Sequence, residues 1–418
     1  MNRTYNRACA KCENAHFAQK SKSEVEKAEY ASSYSKVERE RGSCCRIIWV
    51  ENIKTLSSGG LIYAADAGPH PIEDKVSGVF NVTFLRHSSI PRYINYIHYL
   101  PQLLEFSIRN AYYMISHDYD LLVTIDMPNM EGLIPYFLSV LKRRPIILKE
   151  THWYWPDSFR AKVAWAINMW LVNRATLIIV PGKRVYEYWR QVGISSGKIK
   201  IVPFYSSLLK TNPNMINLAQ TLRGRFENKV IVAYFGRLLK KKGVEYLIRA
   251  FAKIESEFPF TALAIGGDGP ERSNLQRLSA SLGIREIEFF GALNPEDKPA
   301  FFVMSDIYVC PCINLRTPEE WGMVVTEAMS VGKPVVVTNA TGNSLDLVED
   351  GVNGYIVPEK DSDSLYKAIK SLVEDRNLRN NMGKASKKMV TRFDYDCGAQ
   401  AMIQAIRIAL RRNPHHKK

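Results

Sequence analysis

The sequence predicts an α/β protein of two doubly wound, Rossmann-like parallel sheets that face a shared crevice. Three observations lead there. The chain has 418 residues, and at about 100 to 200 residues per domain that length gives two domains or three. From Lys229 onward, short β-branched runs alternate with helix-length amphipathic segments, the pattern of repeated strand–helix–strand units. Apolar residues make up 46% and charged residues 24%, a balance that supports packed cores and excludes a disordered or collagen-like chain.

The elements follow in order. Residues 1–45 are polar, read either as a disordered segment or as the remnant of a first helix. Residues 46–203 form an N-terminal domain, with strands expected near 47–51, 79–85, 120–125, 145–148, 176–180 and 199–202. Residues 204–228 are rich in Ser, Asn and Thr and contain Pro213, the composition of an interdomain linker. Residues 229–395 form the second domain. Its strands are expected at 230–235, 261–265, 286–290, 306–311 and 334–338, with helices near 244–257, 271–282, 295–303 and 323–331. Residues 396–418 hold a last helix and a basic tail.

Lys and Arg total 57 against 42 Asp and Glu, a net charge of +15, so an anionic partner is expected. The excess is concentrated: residues 151–250 hold 17 basic and 4 acidic side chains, whereas 251–350 hold 7 and 15. Within the first of these, Arg160, Lys162, Trp165, Trp170 and Arg174 form a basic, aromatic stretch suited to an anionic membrane surface. The plainer alternative is an amphipathic helix whose tryptophans face a core. The run 164–180 is broken by Asn168, Asn173 and Arg174, so no spanning helix is expected. The first forty residues lack the apolar stretch of a secretory signal. These features predict a cytoplasmic protein, peripheral on the inner face of a membrane. Net charge is the sole argument for nucleic acid, and no such partner is expected. Seven scattered cysteines argue for free thiols rather than a disulfide framework. Cys9, Cys12, His16, Cys44 and Cys45 lack paired knuckle spacing, so no metal site is expected there.

Two segments carry chemistry. After the strand ending at Phe235, the run Gly236-Arg237-Leu238-Leu239-Lys240-Lys241-Lys242-Gly243 places cations at a strand's carboxyl end. Arg237 offers a planar fork and Lys242 a compact charge, a pair able to clamp a diphosphate. The second segment runs from Thr317 through Glu319, Trp321, Gly322, Met323 and Val324 to Glu327. Two carboxylates suggest a glycosidase, but eight helical residues rise about 12 Å, beyond the roughly 5 to 9.5 Å that hydrolytic pairs use. A better account puts Gly322 at a helix start, where free N–H groups favour an anion. Glu319 then accepts sugar hydroxyls, and Glu327 accepts ribose hydroxyls.

These residues resemble the retaining glycosyltransferases of family 4, also called glycosyl transferases group 1, which have the GT-B fold. The Arg and Lys of that family's G-R-L-x-x-x-K-G segment match Arg237 and Lys242, and its two spaced glutamates match Glu319 and Glu327. Gly267 to Pro270 match its G-D-G-P loop, with Gly267 and Gly269 at the turns, and Phe290-Gly291 looks like the segment whose backbone meets the base. The resemblance is strong over 199–395 and weaker over 47–198. It implies Gly236, Trp321, Met323 and Val324 as further donor-site residues, and His152, in Lys149-Glu150-Thr151-His152, as the histidine near the transferred sugar. Glu319, His152, Arg237 and Lys242 are the expected catalytic set. Asp126, at another strand end, is read as an ordinary carboxylate.

The resemblance implies transfer of a sugar, of the hexosyl class, from a nucleotide-diphosphate sugar to a glycan or lipid-linked acceptor. It also implies retained configuration and no metal or other cofactor. The alternatives are a non-catalytic sugar-nucleotide or glycan-binding protein and a sugar-nucleotide epimerase on the same fold. The chain departs from the family at its start: Lys36 to Val50 reads as a helix end and second strand, so the first strand is expected to be missing, with Gly59-Gly60 on the wrong side to replace its loop.

Overall fold

The computed structural model describes residues 46–51, 81–86, 108, 111–125, 130–152, 159–204, 208–209, 211–315 and 321–412. The chain divides into two units, one drawn from residues 1–181, 185–205 and 395–418, the other from 182–184 and 206–394.

The first unit contains a parallel sheet of β1 (Arg46–Glu51), β2 (Asn81–Arg86), β3 (Leu121–Ile125), β4 (Ile146–Lys149), β5 (Leu177–Val180) and β6 (Ile199–Ile201), in the order β2-β1-β3-β4-β5-β6. Helices α1 (Met130–Leu141), α2 (Phe159–Arg174) and α3 (Lys183–Gln191) follow β3, β4 and β5. Leu122, Leu148 and Ile178 from the strands, Tyr136 from α1, Leu171 from α2 and Trp189 from α3 share one core.

The second unit begins with α4 (Pro213–Arg223). Its sheet is β7 (Val230–Phe235), β8 (Thr261–Gly266), β9 (Ile287–Gly291), β10 (Ile307–Cys310), β11 (Val335–Thr338) and β12 (Gly354–Val357). The helices between and after them are α5 (Val244–Glu257), α6 (Arg272–Ser281), α7 (Lys298–Met304), α8 (Met323–Ser330), α9 (Ser344–Leu347), α10 (Ser362–Glu374) and α11 (Arg376–Val390). The order β9-β8-β7-β10-β11-β12 is all parallel. Period-two alternation divides the strands between two cores. Ile231, Ala233, Ala262 and Ala264 face α4 and α7, whereas Val232, Tyr234, Leu263 and Ile265 face α5 and α10. The last helix, α12 (Tyr395–Arg411), belongs to the first unit and packs on β3, β4 and β5 with Met402, Ala405, Ile406 and Ala409 buried.

Two features differ from the sequence reading. The segment 204–228 holds helix α4, because Asn212-Pro213 acts as a cap rather than a breaker. The Asn212 side chain accepts the Met215 N–H at 2.8 Å and Pro213 sits at the first helical turn. Met215, Ala219 and Leu222 then pack into the second unit's core, and Arg223 donates to Asp306 at 3.0 Å. Asn212→Ala is expected to lower stability by about 1 kcal/mol, read as a reduced urea midpoint with an unchanged slope. The second feature is β1. It pairs in parallel with both β2 and β3, the place that β7 holds between β8 and β10. Among the described residues, Arg46–Glu51 is therefore the first strand of its sheet and holds the central place that β7 holds in the second. Gly59-Gly60, residues 1–45 and the Cys9 to Cys45 cluster lie outside the described residues.

Candidate active site

Ligands of open parallel sheets bind beyond the strands' carboxyl ends, where the strand order reverses. In the second unit that point lies between β7 and β10. The loop after β7 is the cationic run, and the segment after β10 leads to Gly322 and α8. The cationic run and the described part of the second segment, from Trp321 to Glu327, thus flank the position that topology selects in this sheet.

Close backbone approaches fix this position. Gly243 has φ +63°, and a Cβ there would collide with the carbonyl of Pro311. The Ile313 N–H donates to Lys241 O at 2.9 Å, tying the cationic loop to the segment after β10. On the other side, Gly236 N–H donates to Gly266 O at 3.0 Å, Leu238 N–H to Asp268 O at 2.9 Å, and Gly267 N–H to Gly291 O at 2.7 Å. Gly267 has φ +107°, where a Cβ would strike the Gly236 backbone. Gly269 likewise lies against the Leu238 backbone. The loops after β7, β8 and β9 are therefore one stitched surface. On it Arg237 is exposed and Lys242 half-buried.

Helix α8 starts at Met323 with Gly322 as its cap. Asn343 Nδ2 donates to Gly322 O at 3.0 Å, and Val325 N–H returns to the same carbonyl at 3.0 Å. The first N–H groups of α8, at Met323 and Val324, have no partner within the helix. One turn on, Glu327 is buried, and its Oε1 accepts from Lys298 Nζ at 2.5 Å. Glu327 Oε2 is buried with no hydrogen-bond partner. Burial pushes this carboxyl above the usual carboxylate range, opposed by the Lys298 charge and its hydrogen bond. Lys298 went unnoticed in the sequence, since its partner lies on a different helix.

The other predicted residues are placed as follows. The Trp321 side chain is buried, its ring 6.1 Å from that of Phe393. Phe290 packs edge-on to Phe301 at 5.4 Å. Each turns its side chain into the fold and leaves its backbone for the loop surface. His152 lies in the first unit just beyond the carboxyl end of β4, with Nδ1 3.9 Å from Oε2 of the fully buried Glu150. Glu319 and Asp126 lie outside the described residues. Among the described residues, no group of three His, Cys, Asp or Glu side chains is arranged to hold a metal ion.

Comparison with known proteins fits this geometry. Residues 221–389 match the family model described as "Glycosyl transferases group 1". The chain is 32% identical over 164 residues to alpha-D-kanosaminyltransferase of Streptomyces kanamyceticus, covering 38% of this chain and 41% of that protein. It is 34% identical over 164 residues to the GDP-mannose-dependent alpha-(1-6)-phosphatidylinositol monomannoside mannosyltransferase of Mycolicibacterium smegmatis, covering 38% and 43%. It thus spans less than half the length of these relatives. Among solved structures, sucrose-phosphate synthase of Thermosynechococcus elongatus superposes with TM-score 0.68 at 19% identity, over 87% of this chain and 98% of that one. Anabaena HepE in complex with UDP gives 0.66 at 21%, over 87% and 99%. Residues 221–389 are thus similar to the glycosyl transferases group 1 model, in a chain with the GT-B fold.

Proposed function

We propose that the protein transfers a hexosyl group from a nucleoside-diphosphate sugar to a glycan or lipid-linked acceptor, with retention of anomeric configuration. The observation that carries this reading is the convergence of the Arg237–Lys242 loop and the start of α8 on the switch point of the second sheet. Two relatives are named for glycosyl transfer, one of them for transfer to a phosphatidylinositol mannoside, and HepE holds UDP and UDP-glucose.

Breaking the bond to a diphosphate leaves negative charge on the departing oxygens while positive charge grows at the anomeric carbon. Arg237, Lys242 and the N–H groups opening α8 are preorganised donors for the negative charge. The backbones of Gly236, Gly267, Gly269, Phe290 and Gly291 form the surface beside the base. Glu327 Oε2, buried and unpaired, accepts the ribose hydroxyls. Glu319 and His152 orient the sugar. The acceptor attacks on the face the diphosphate leaves, and a phosphate oxygen takes its proton, which yields retention without a covalent sugar–enzyme bond.

With two cations and a helix start supplying the charge, turnover is expected to persist in excess EDTA. We place the protein in the cytoplasm, peripheral on an anionic membrane; no helix among the described residues is long and apolar enough to cross one. The test is a thermal-shift screen with uridine, guanosine and adenosine diphosphate sugars. The stabilising donor is then incubated with lipid extracts, and the anomeric configuration of the product read by NMR. A stabilising nucleotide sugar and a product of retained configuration are expected. Donor conversion without acceptor, or binding without turnover, would defeat the transferase reading.

A further inference from the structure

At the amino ends of β4 and β5, the far end of β4 from His152, the first unit carries a depression of about 250 Å³. Four of its lining residues are arginines: Arg143 and Arg144 before β4, Arg174 at the end of α2, and Arg412 after α12. Segments more than two hundred residues apart in sequence thus bring guanidinium groups to one cleft. Arg144 pairs with Asp118 at 2.5 Å, and Arg412 donates to Gly197 O at 2.9 Å. Thr176 Oγ1, also in the lining, accepts the Ile146 N–H at 3.1 Å, so its own proton is left to donate.

The backbone at Arg143 adds a second, independent sign. Helix α1 ends in a Schellman turn, with Arg143 N–H on Val140 O at 3.1 Å and Arg144 N–H on Ser139 O at 2.8 Å. Arg143 is the left-handed residue of that turn, φ +54°, where glycine is usual because a Cβ is penalised. The chain keeps a guanidinium at the cleft in spite of that penalty.

Beside the cleft runs an apolar strip. On α2, Phe159, Val163 and Ile167 recur at every fourth position and are 82%, 48% and 42% exposed. Three residues on, Trp170 carries the Arg174 guanidinium 3.9 Å from its ring centroid. The Phe137 ring of α1 lies 5.1 Å from Trp170, and Leu141, one turn along α1, is 76% exposed. Trp165, by contrast, stacks inward on Trp189 at 5.6 Å, so the exposed apolar face is made by aliphatic side chains and phenylalanine rather than by both tryptophans. A soluble oxyanion needs the arginines and not the strip. A surface that presents phosphates above an acyl layer matches both.

We propose that the first unit docks on an anionic membrane by seating headgroup phosphates in the Arg143–Arg144–Arg174–Arg412 cleft and burying Phe137, Leu141 and the exposed face of α2 in the acyl boundary. The proposal deepens the membrane partner named above and is independent of sugar transfer. Guanidinium groups fork onto phosphate oxygens, and the adjoining apolar side chains enter just beneath the headgroups.

The test is co-sedimentation of the full chain with vesicles of phosphatidylcholine alone, or mixed with equal phosphatidylglycerol. The wild type is expected on the anionic vesicles only. The Arg143→Gly/Arg174→Ala variant should bind about 25-fold more weakly, at roughly five-fold per cation. Arg143→Gly relieves the left-handed position, which protects folding in that variant. Leu141→Ser should also weaken binding, and both variants should keep the wild-type affinity for a nucleoside diphosphate. Equal binding to both vesicle types, or binding unmoved by the variants, would overturn the proposal. So would pyrophosphate uptake by the cleft without vesicle binding, or self-association abolished by Leu141→Ser. A wild type that sediments with anionic vesicles yet binds no nucleotide leaves this proposal standing and removes the transferase reading.

Discussion

Arg237→Ala is expected to weaken nucleoside-diphosphate binding about 10- to 100-fold, since a hydrogen bond to a charged group contributes about 1.5 to 3 kcal/mol and 1.4 kcal/mol is tenfold. Lys242→Ala should cost a similar factor. Arg237→Lys should recover only part of the loss, because an ammonium group restores the charge without the planar fork that spans two phosphate oxygens. The fold should be untouched. Arg237 is exposed, and the loop's shape rests on backbone bonds such as Ile313 N–H to Lys241 O and Leu238 N–H to Asp268 O. Isothermal titration with uridine and guanosine diphosphates gives the affinities, and a thermal melt gives the stability. Unchanged affinity in folded variants would remove the cationic loop from the donor site, and with it the main support for the proposed function.

The cationic loop was legible in the sequence because its determinants are local. Gly236 and Gly243 bracket it, a β-branched run precedes it and an amphipathic helix follows. The same holds for most strands: the runs at β7, β10 and β11 are buried on both faces and so read as unbroken apolar segments. What failed to show was what depends on distant partners. Whether Asn212-Pro213 breaks a chain or caps a helix is decided by the core waiting for Met215, Ala219 and Leu222. The central place of Arg46–Glu51 between β2 and β3 is a matter of strand order, and no residue within that strand encodes which neighbours flank it. Strand β12 starts at Gly354, a residue that strands disfavour, because a side chain there would collide with the Val335 carbonyl of β11. Lys298 reads as one more solvated cation until the fold brings it to Glu327, 29 positions away.

That ion pair carries the second large effect. Lys298→Met would leave Glu327 charged, buried and without its counter-ion, and breaking a buried pair from one side costs about 3 to 5 kcal/mol. The loss should depend on pH in a definite direction. Burial already holds the Glu327 carboxyl above its ordinary value against the pull of Lys298, and removing the cation lets it rise further. With the folded carboxyl titrating above the unfolded one, the folded state binds the extra proton between the two values. Stability contributed by this group therefore falls as pH rises through that window and is lost above the folded value. Urea unfolding of Lys298→Met at several pH values between 5 and 8 should show a steeper decline toward alkaline pH than the wild type. Adding Glu327→Gln should flatten the decline and return much of the stability, since a neutral amide needs no counter-ion. The two changes share one interaction, so their effects should not add. Donor affinity separates the roles: the double variant should fold yet bind nucleotide poorly, because the glutamine amide meets the ribose hydroxyls without the carboxylate charge. A Lys298→Met protein as stable as the wild type at pH 8 would show that the pair does not hold Glu327 in its charged form.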